Sequence, residues 1–325
     1  MIKIAGTGSY LPEKIVTNTD LEKMIDTNDK WIKERTGIAE RRIAADGELC
    51  SDLGTKAASE AIKNANLTAA DIDIIIAGTS TADYILPAVA PIIQYKLGCG
   101  KIPAFDINSV CTSFAYSFIT AAGFLSSGLY KNCLVVGSDV YSRILNWEDR
   151  NTCCIFGDGA GAVVIKKDDT SKGILSHIYG ADGEDADLIR IPVGGSKNPA
   201  RADNQYKKED YFFQMAGTDV YEFTIITIPQ VAVDLIDKAN LVSDDIDRVV
   251  LHQANRRIIE SVSKRTKIPI EKFVINIDRV GNTSSASIPI ALDEAVRSGK
   301  IKDKDKVMMI GFGGGLSWGG VIIEW

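Results

Sequence analysis

Three residues, Cys111, His252 and Asn282, carry side chains suited to covalent catalysis at a carbonyl carbon. A thiolate attacks such a carbon, an imidazole moves protons near neutral pH, and a carboxamide donates hydrogen bonds without titrating. The chain has only two histidines, which narrows the search. His177 sits in the alternating pattern Ile174-Leu175-Ser176-His177-Ile178-Tyr179 and reads as a strand residue without catalytic work. His252 follows the apolar run Val249-Val250-Leu251, so it stands at the C-terminal end of a buried strand. That is where α/β proteins gather their polar groups.

The elements around these residues must bring them together. Cys111 lies within Ala104–Tyr116, and Phe114, Phe118, Ala121, Ala122 and Leu125 leave that stretch at helical spacing. The thiol is therefore expected where a loop becomes a helix, with unpaired N–H groups and the positive end of the helix dipole favouring a thiolate. Asn282, in Gly281-Asn282-Thr283-Ser284-Ser285, reads either as a helix cap or as an amide donor in the same cleft. Gly311-Phe312-Gly313-Gly314-Gly315 follows another buried strand, and its glycines permit a backbone N–H to approach an oxyanion. Upstream, Ser51-Asp52 reads as a helix N-cap, with Leu53, Ala57, Ala61, Ile62 and Ala65 on the buried face. The polar stretch 192–210 is too long for a turn; it is either a surface loop or an edge over the site.

A duplication links these pieces. Ala65-Asn66-Leu67-Thr68-Ala69-Ala70-Asp71-Ile72-Asp73 matches Ala239-Asn240-Leu241-Val242-Ser243-Asp244-Asp245-Ile246-Asp247 at a displacement of 174 positions. The same displacement carries Val135-Val136-Gly137 onto Met309-Ile310-Gly311, and Cys111 onto Ser285. The expectation is an α/β chain built from two copies of one unit, 1–170 and 171–325, with sheets covered by helices on both faces and equivalent loops meeting at their interface.

Composition excludes several classes. At 45% apolar and 25% charged residues, with a net charge of −6, the chain is an ordinary globular protein with no global reason to bind nucleic acid or a membrane surface. Its six cysteines (50, 99, 111, 133, 153 and 154) form no CxxC pair and no histidine lies near a cysteine pair, so neither a disulfide framework nor a metal site is expected. Reduced thiols, and an N-terminus that reads directly as a strand, point to the cytoplasm.

Cysteine, histidine and asparagine in this order suit a papain-like hydrolase or an acyl-transferring condensing enzyme. The duplication, and the lack of disulfides and of a Cys-Gly-Ser-Cys-Trp-type signature, favour the second. Over essentially its whole length the chain resembles the β-ketoacyl-acyl carrier protein synthase III family, within the thiolase fold. The likeness rests on Trp31-Ile32 with Arg35-Thr36-Gly37-Ile38, on Cys111, and on Phe156-Gly157-Asp158-Gly159-Ala160-Gly161-Ala162. It continues in His252-Gln253-Ala254-Asn255, Gly281-Asn282-Thr283-Ser284 and Gly311-Phe312-Gly313-Gly314-Gly315. Degradative thiolases need a second cysteine near the C-terminus, and none follows Cys154. Chain-elongating synthases use two histidines; here Asn282 holds the second position.

The resemblance implies a five-layered αβαβα fold, a homodimer, and no permanently bound cofactor. Cys111 would take an acyl group from coenzyme A, with the N–H groups of Cys111 and Gly314 as the oxyanion hole. Malonyl-acyl carrier protein would then be decarboxylated between His252 and Asn282. The same likeness assigns Trp31, Arg35, Arg150 and Asn255 to coenzyme A, and Leu86, Thr112 and Phe312 to the acyl pocket, with the loop near Leu86-Pro87 reaching into the partner subunit. The run Arg256, Arg257, Lys264 and Arg265, on an otherwise acidic chain, suits an acidic carrier protein. Ser113 stands where the family's usual pattern has glycine, and Leu86 where an aromatic often closes the pocket. These departures leave open whether the primer is acetyl or a longer or functionalised acyl group used by a specialised relative.

Overall fold

The computed structural model describes residues 1–168, 170–201, 203 and 206–325. Its first sheet has the strand order Ile2–Tyr10, Gly159–Lys167, Asn132–Asp139, Ile74–Gly78, Ala104–Ile107. The second runs Ile174–Ala181, Ser317–Glu324, Lys306–Gly313, Arg248–Leu251. Pairing is antiparallel for the first two contacts of each sheet and parallel thereafter.

The central strand Asn132–Asp139 is apolar on both faces, because both are covered. Leu134 and Val136 pack outward with Leu53, Ala57 and Ile93, on the helices Cys50–Asn64 and Val89–Leu97. Cys133 and Val135 face inward to a core shared with Phe114, Phe118, Ile288 and Leu292, on the helices Ser113–Ser126 and Ser287–Arg297. Those two helices also meet Val250, Met309 and Val321 of the second sheet. The far side of that sheet is closed by Leu235 and Ile259, on the helices Gly217–Lys238 and Arg256–Thr266. The layers are therefore αβαβα.

The displacement of 174 positions maps Asn132–Asp139 onto Lys306–Gly313 end to end and Ser113 onto Ser287, each the first residue of its helix. It also pairs left-handed backbone positions: Asn66 (φ 56°) with Asn240 (φ 54°), and Val110 (φ 48°) with Ser284 (φ 50°). In the second sheet the counterpart of the edge strand Ala104–Ile107 is reduced to one parallel bridge between Val249 and Phe273, and the residues at the same displacement fall at the short helix Ile277–Val280. The first long helix begins one residue before the expected cap. Leu49 is its N-cap residue, and Asp52 closes the turn by accepting the Leu49 N–H at 3.0 Å.

Candidate active site

Cys111, His252 and Asn282 line one cavity of about 550 Å³, together with Phe312 and Gly313. Cys111 sits in the turn that opens the helix Ser113–Ser126, directly after Val110, whose φ of 48° is uncommon for a β-branched residue. The end of the strand Lys306–Gly313 abuts this turn. A Cβ on Gly313 would stand 2.8 Å from Cys111 Cβ, so only glycine fits there, and Gly314 lies against Val110 and Ile189.

His252 extends from the strand Arg248–Leu251, where its backbone N–H donates to Ile310 O at 2.8 Å. Its Nδ1 lies 2.6 Å from Ser287 Oγ at the start of the helix Ser287–Arg297, and its ring packs edge-on to Phe312 at 5.0 Å. Asn282 is fixed from the other half of the chain: its N–H donates to Ile155 O at 2.9 Å and its carbonyl accepts from Gly157 N at 3.0 Å. A Cβ on Gly157 would stand 2.5 Å from Val280 O, which is why this turn is glycine.

The electrostatics differ from the expectation at the thiol. Burial pushes Cys111 up to about 12, against smaller opposing help from a Ser284 hydrogen bond. Burial also pushes His252 down to about 3, only partly offset by a hydrogen bond to the Ser284 backbone. At neutral pH the resting pair is a neutral thiol and a neutral imidazole. The helix terminus alone does not outweigh the desolvation of a buried sulfur.

Trp31, Arg35, Arg150, Asn255 and Arg257 line the same cavity, with the three arginines exposed. The guanidinium carbons of Arg35 and Arg150 lie 5.0 and 5.2 Å from the Trp31 ring centroid. Asn255 caps the helix Arg256–Thr266 through the Arg257 N–H and donates to Arg35 O at 2.9 Å. Arg256 pairs with Glu260 and Arg265 donates to Gln230, while Lys264 is exposed on the same helix.

Of the three residues expected in an acyl pocket, Phe312 lines this cavity and Thr112 and Leu86 do not. Thr112 is fully buried and turns its hydroxyl to Ser317, 3.0 Å away, rather than into the cavity, because the helix start packs against the strand Ser317–Glu324. Leu86 is 84% exposed beside Tyr84 and Ile85, outside this chain's cavity. The wall beside the thiol is instead aromatic. Tyr141 is fully buried and stacks on Phe156 at 4.5 Å; both meet Phe213 edge-on. Its hydroxyl lies 3.1 Å from Ser80 Oγ. Tyr141 directly follows the buried strand end Asp139-Val140, the same kind of position that singled out His252. The stretch 192–210, part of which lies outside the described residues, is pinned at its base by Ile189–Arg190 pairing with Gln214–Met215; Ile189 and Met215 line the cavity.

Among the described residues no group of His, Cys, Asp and Glu is arranged to hold a metal, and no helix is long and apolar enough to cross a membrane.

Comparison with known proteins places this geometry. Residues 105–183 match the family described as 3-oxoacyl-[acyl-carrier-protein] synthase III, and residues 236–325 match its C-terminal part. A β-ketoacyl-[acyl-carrier-protein] synthase III of Fusobacterium nucleatum is 49% identical over 324 residues, covering 100% of this chain and 98% of that protein. The crystal structure of 3-oxoacyl-[acyl-carrier-protein] synthase III from Aquifex aeolicus superposes with a TM-score of 0.92 at 40% identity, covering 100% of both chains. The priming β-ketosynthase of the R1128 polyketide biosynthetic pathway gives a TM-score of 0.92 at 31% identity, covering 100% of this chain and 96% of that one. By its full-length similarity to named members, this chain belongs to the β-ketoacyl-acyl carrier protein synthase III family.

Proposed function

We propose that this protein joins an acyl-coenzyme A primer, acetyl-coenzyme A first among them, to malonyl-acyl carrier protein, and so initiates fatty acid synthesis. The observation that carries the reading is one cavity with a buried thiol, imidazole and carboxamide at one end and exposed arginines beside a tryptophan at the other. Trp31 with Arg150 receives the adenine, Arg35 and Arg257 attract the phosphates, and Asn255 borders the pantetheine path. Because Arg150 already rests on the Trp31 ring, its guanidinium moves aside as the base enters.

In the first step Cys111 Sγ bonds to the acyl carbon and the carbon–sulfur bond to coenzyme A breaks. The proton Cys111 gives up ends on the departing sulfur. The N–H groups of Cys111 and Gly314 meet the tetrahedral oxyanion. In the second step malonyl-acyl carrier protein loses carbon dioxide, and negative charge gathers on its thioester oxygen. His252 Nε2 and the Asn282 amide donate to that oxygen; Ser287 holds the ring by Nδ1. The carbanion then attacks the acyl carbon on Cys111, and Sγ departs. Removing one such donor costs about 3 kcal/mol of barrier.

Halves 1–170 and 171–325 serve as two copies of one unit, the first supplying the nucleophile and the second the decarboxylation pair. Arg256, Arg257, Lys264 and Arg265 receive the carrier protein. The protein works as a cytoplasmic homodimer, with Leu86 and its exposed neighbours entering the partner's acyl pocket, and without a resident cofactor. The similarity to a priming β-ketosynthase favours as second reading a specialised enzyme loading a longer primer. Incubation with acetyl-coenzyme A followed by intact mass measurement tests the first step. An adduct lost in Cys111→Ala supports it; no adduct with any primer from two to eight carbons overturns it.

A further inference from the structure

One residue outside the triad hydrogen-bonds two of its members. Ser284 Oγ donates to Cys111 Sγ at 3.4 Å. Its backbone N–H donates to Asn282 Oδ1 at 2.8 Å. Ser284 is itself fully buried and holds a φ of 50°, a left-handed conformation that disfavours any residue but glycine. Such conformations persist where the surroundings impose them, often at functional sites.

A chain of hydroxyls lies behind this contact. Tyr141 is fully buried, and its oxygen lies 3.1 Å from Ser80 Oγ. Asp139, buried beyond Ser80, accepts from the Ser80 N–H at 2.9 Å and from the Ser285 N–H at 2.9 Å. A carboxylate at the far end of a hydroxyl chain biases its protons. Ser80 donates to Asp139, so across their 3.1 Å contact the Tyr141 hydroxyl donates to Ser80, and Ser284 is left as the side-chain donor to the sulfur.

We infer that Ser284 is a further catalytic residue, whose hydroxyl donates to the Cys111 sulfur as negative charge forms on it during acyl transfer. The sulfur is buried at the floor of the cavity, so a donor already in place is the means by which a thiolate forms there at neutral pH. The step is the one given above: the Sγ–carbon bond forms, the carbon–sulfur bond to coenzyme A breaks, and the proton lost by Cys111 ends on the departing sulfur. Ser284 keeps its own proton throughout. The inference rests on the acyl-transfer reading and names a group that serves its first half-reaction.

Ser284→Gly is the informative substitution. It deletes the hydroxyl, keeps the backbone N–H that orients Asn282, and relieves the left-handed strain. Ser284→Ala deletes the same hydroxyl and keeps the strain. Two rates are read: acetylation of Cys111 by acetyl-coenzyme A in a single turnover, and alkylation of Cys111 by iodoacetamide from pH 6 to 10. Loss of a donor to a charged group predicts acetylation slowed about ten- to a hundredfold in both variants. It also predicts an alkylation profile displaced to higher pH, with the melting temperature of Ser284→Gly equal to or above that of the parent. Parental acetylation rates and an unmoved alkylation profile in Ser284→Gly overturn the inference. If the parent forms no acyl adduct at all, the acyl-transfer reading falls by itself, and the alkylation profile alone still decides whether Ser284 tunes the thiol.

Discussion

The Ser284 N–H donates to Asn282 Oδ1 at 2.8 Å, which occupies the carbonyl end of that carboxamide and leaves its NH₂ end for the cavity. Asn282→Asp keeps an acceptor for Ser284 but presents a second negative oxygen to the developing enolate. The expected result is a normal acetyl adduct on Cys111 with condensation reduced about 10²- to 10³-fold. Intact mass reports the adduct, and product formation from malonyl-acyl carrier protein reports the condensation. An equal loss in both would remove Asn282 from the second half-reaction.

His252 is fully buried and its pKa is lowered from 6.5 to about 3. An unfolded chain takes up this proton below pH 6.5, whereas the folded one resists until about pH 3. His252 thus leaves stability undiminished above pH 6.5 and erodes it as pH falls through that window, by ~1.4 kcal/mol per unit. Denaturant unfolding at pH 7.5 and 5.0 should show His252→Gln losing less stability on acidification than the parent, by ~2 kcal/mol. Parallel losses would mean that His252 is not a buried neutral group.

Tyr141 is buried against Phe156, which lines the cavity, and stacks on its ring at 4.5 Å. Tyr141→Leu removes the ring that backs Phe156 and lets that wall yield to a longer acyl chain. Because each methylene in an apolar pocket is worth ~1–3 kcal/mol, the preference for hexanoyl over acetyl primers should rise at least about tenfold. Adduct formation with each acyl-coenzyme A in competition measures the ratio. An unchanged ratio would place the chain's terminus elsewhere, with the exposed Leu86 segment of a second subunit as the next element to vary.

Trp31 offers its indole face between the cavity and two guanidiniums. Trp31→Ala should raise KM for acetyl-coenzyme A about tenfold with kcat little changed, since the base is far from the reacting carbon. Steady-state kinetics checks this. A fall in kcat alone would instead assign Trp31 to packing.

Lys264 and Arg265 end the helix whose N-terminus carries Arg257 at the cavity. Reversing both charges (Lys264→Glu with Arg265→Glu) should weaken use of malonyl-acyl carrier protein about tenfold at low salt, and less at high salt. Acetylation by acetyl-coenzyme A should be unaffected. If both half-reactions slow together, the helix acts through stability and not through docking.

Much of the site was legible because its signals are local. Cys111 before a helix, His252 after a buried strand and the glycines of 311–315 are each set by a few neighbouring residues. The duplication was legible too, since a displacement of 174 positions is a property of the chain itself. Thr112 was not. Adjacent to the nucleophile in sequence, it faces Ser317, more than two hundred positions away, because the first turn of a helix points successive side chains in different directions. Tyr141 and Phe213 were equally silent, since only packing brings an aromatic at a strand end and one beyond a long loop against the same Phe156 ring.

By itself the sequence singled out the candidate groups Cys111, His252 and Asn282 and determined the α/β character of the chain, its internal repeat and its family, because these follow from residue type, order and period. Tertiary structure alone decided the protonation of Cys111 and His252, the aromatic wall and the contact of Ser284 with the thiol. The physical reason is burial. Desolvation and the approach of groups from two halves of the chain depend on how the layers close, and a helix terminus read along the sequence says nothing of either.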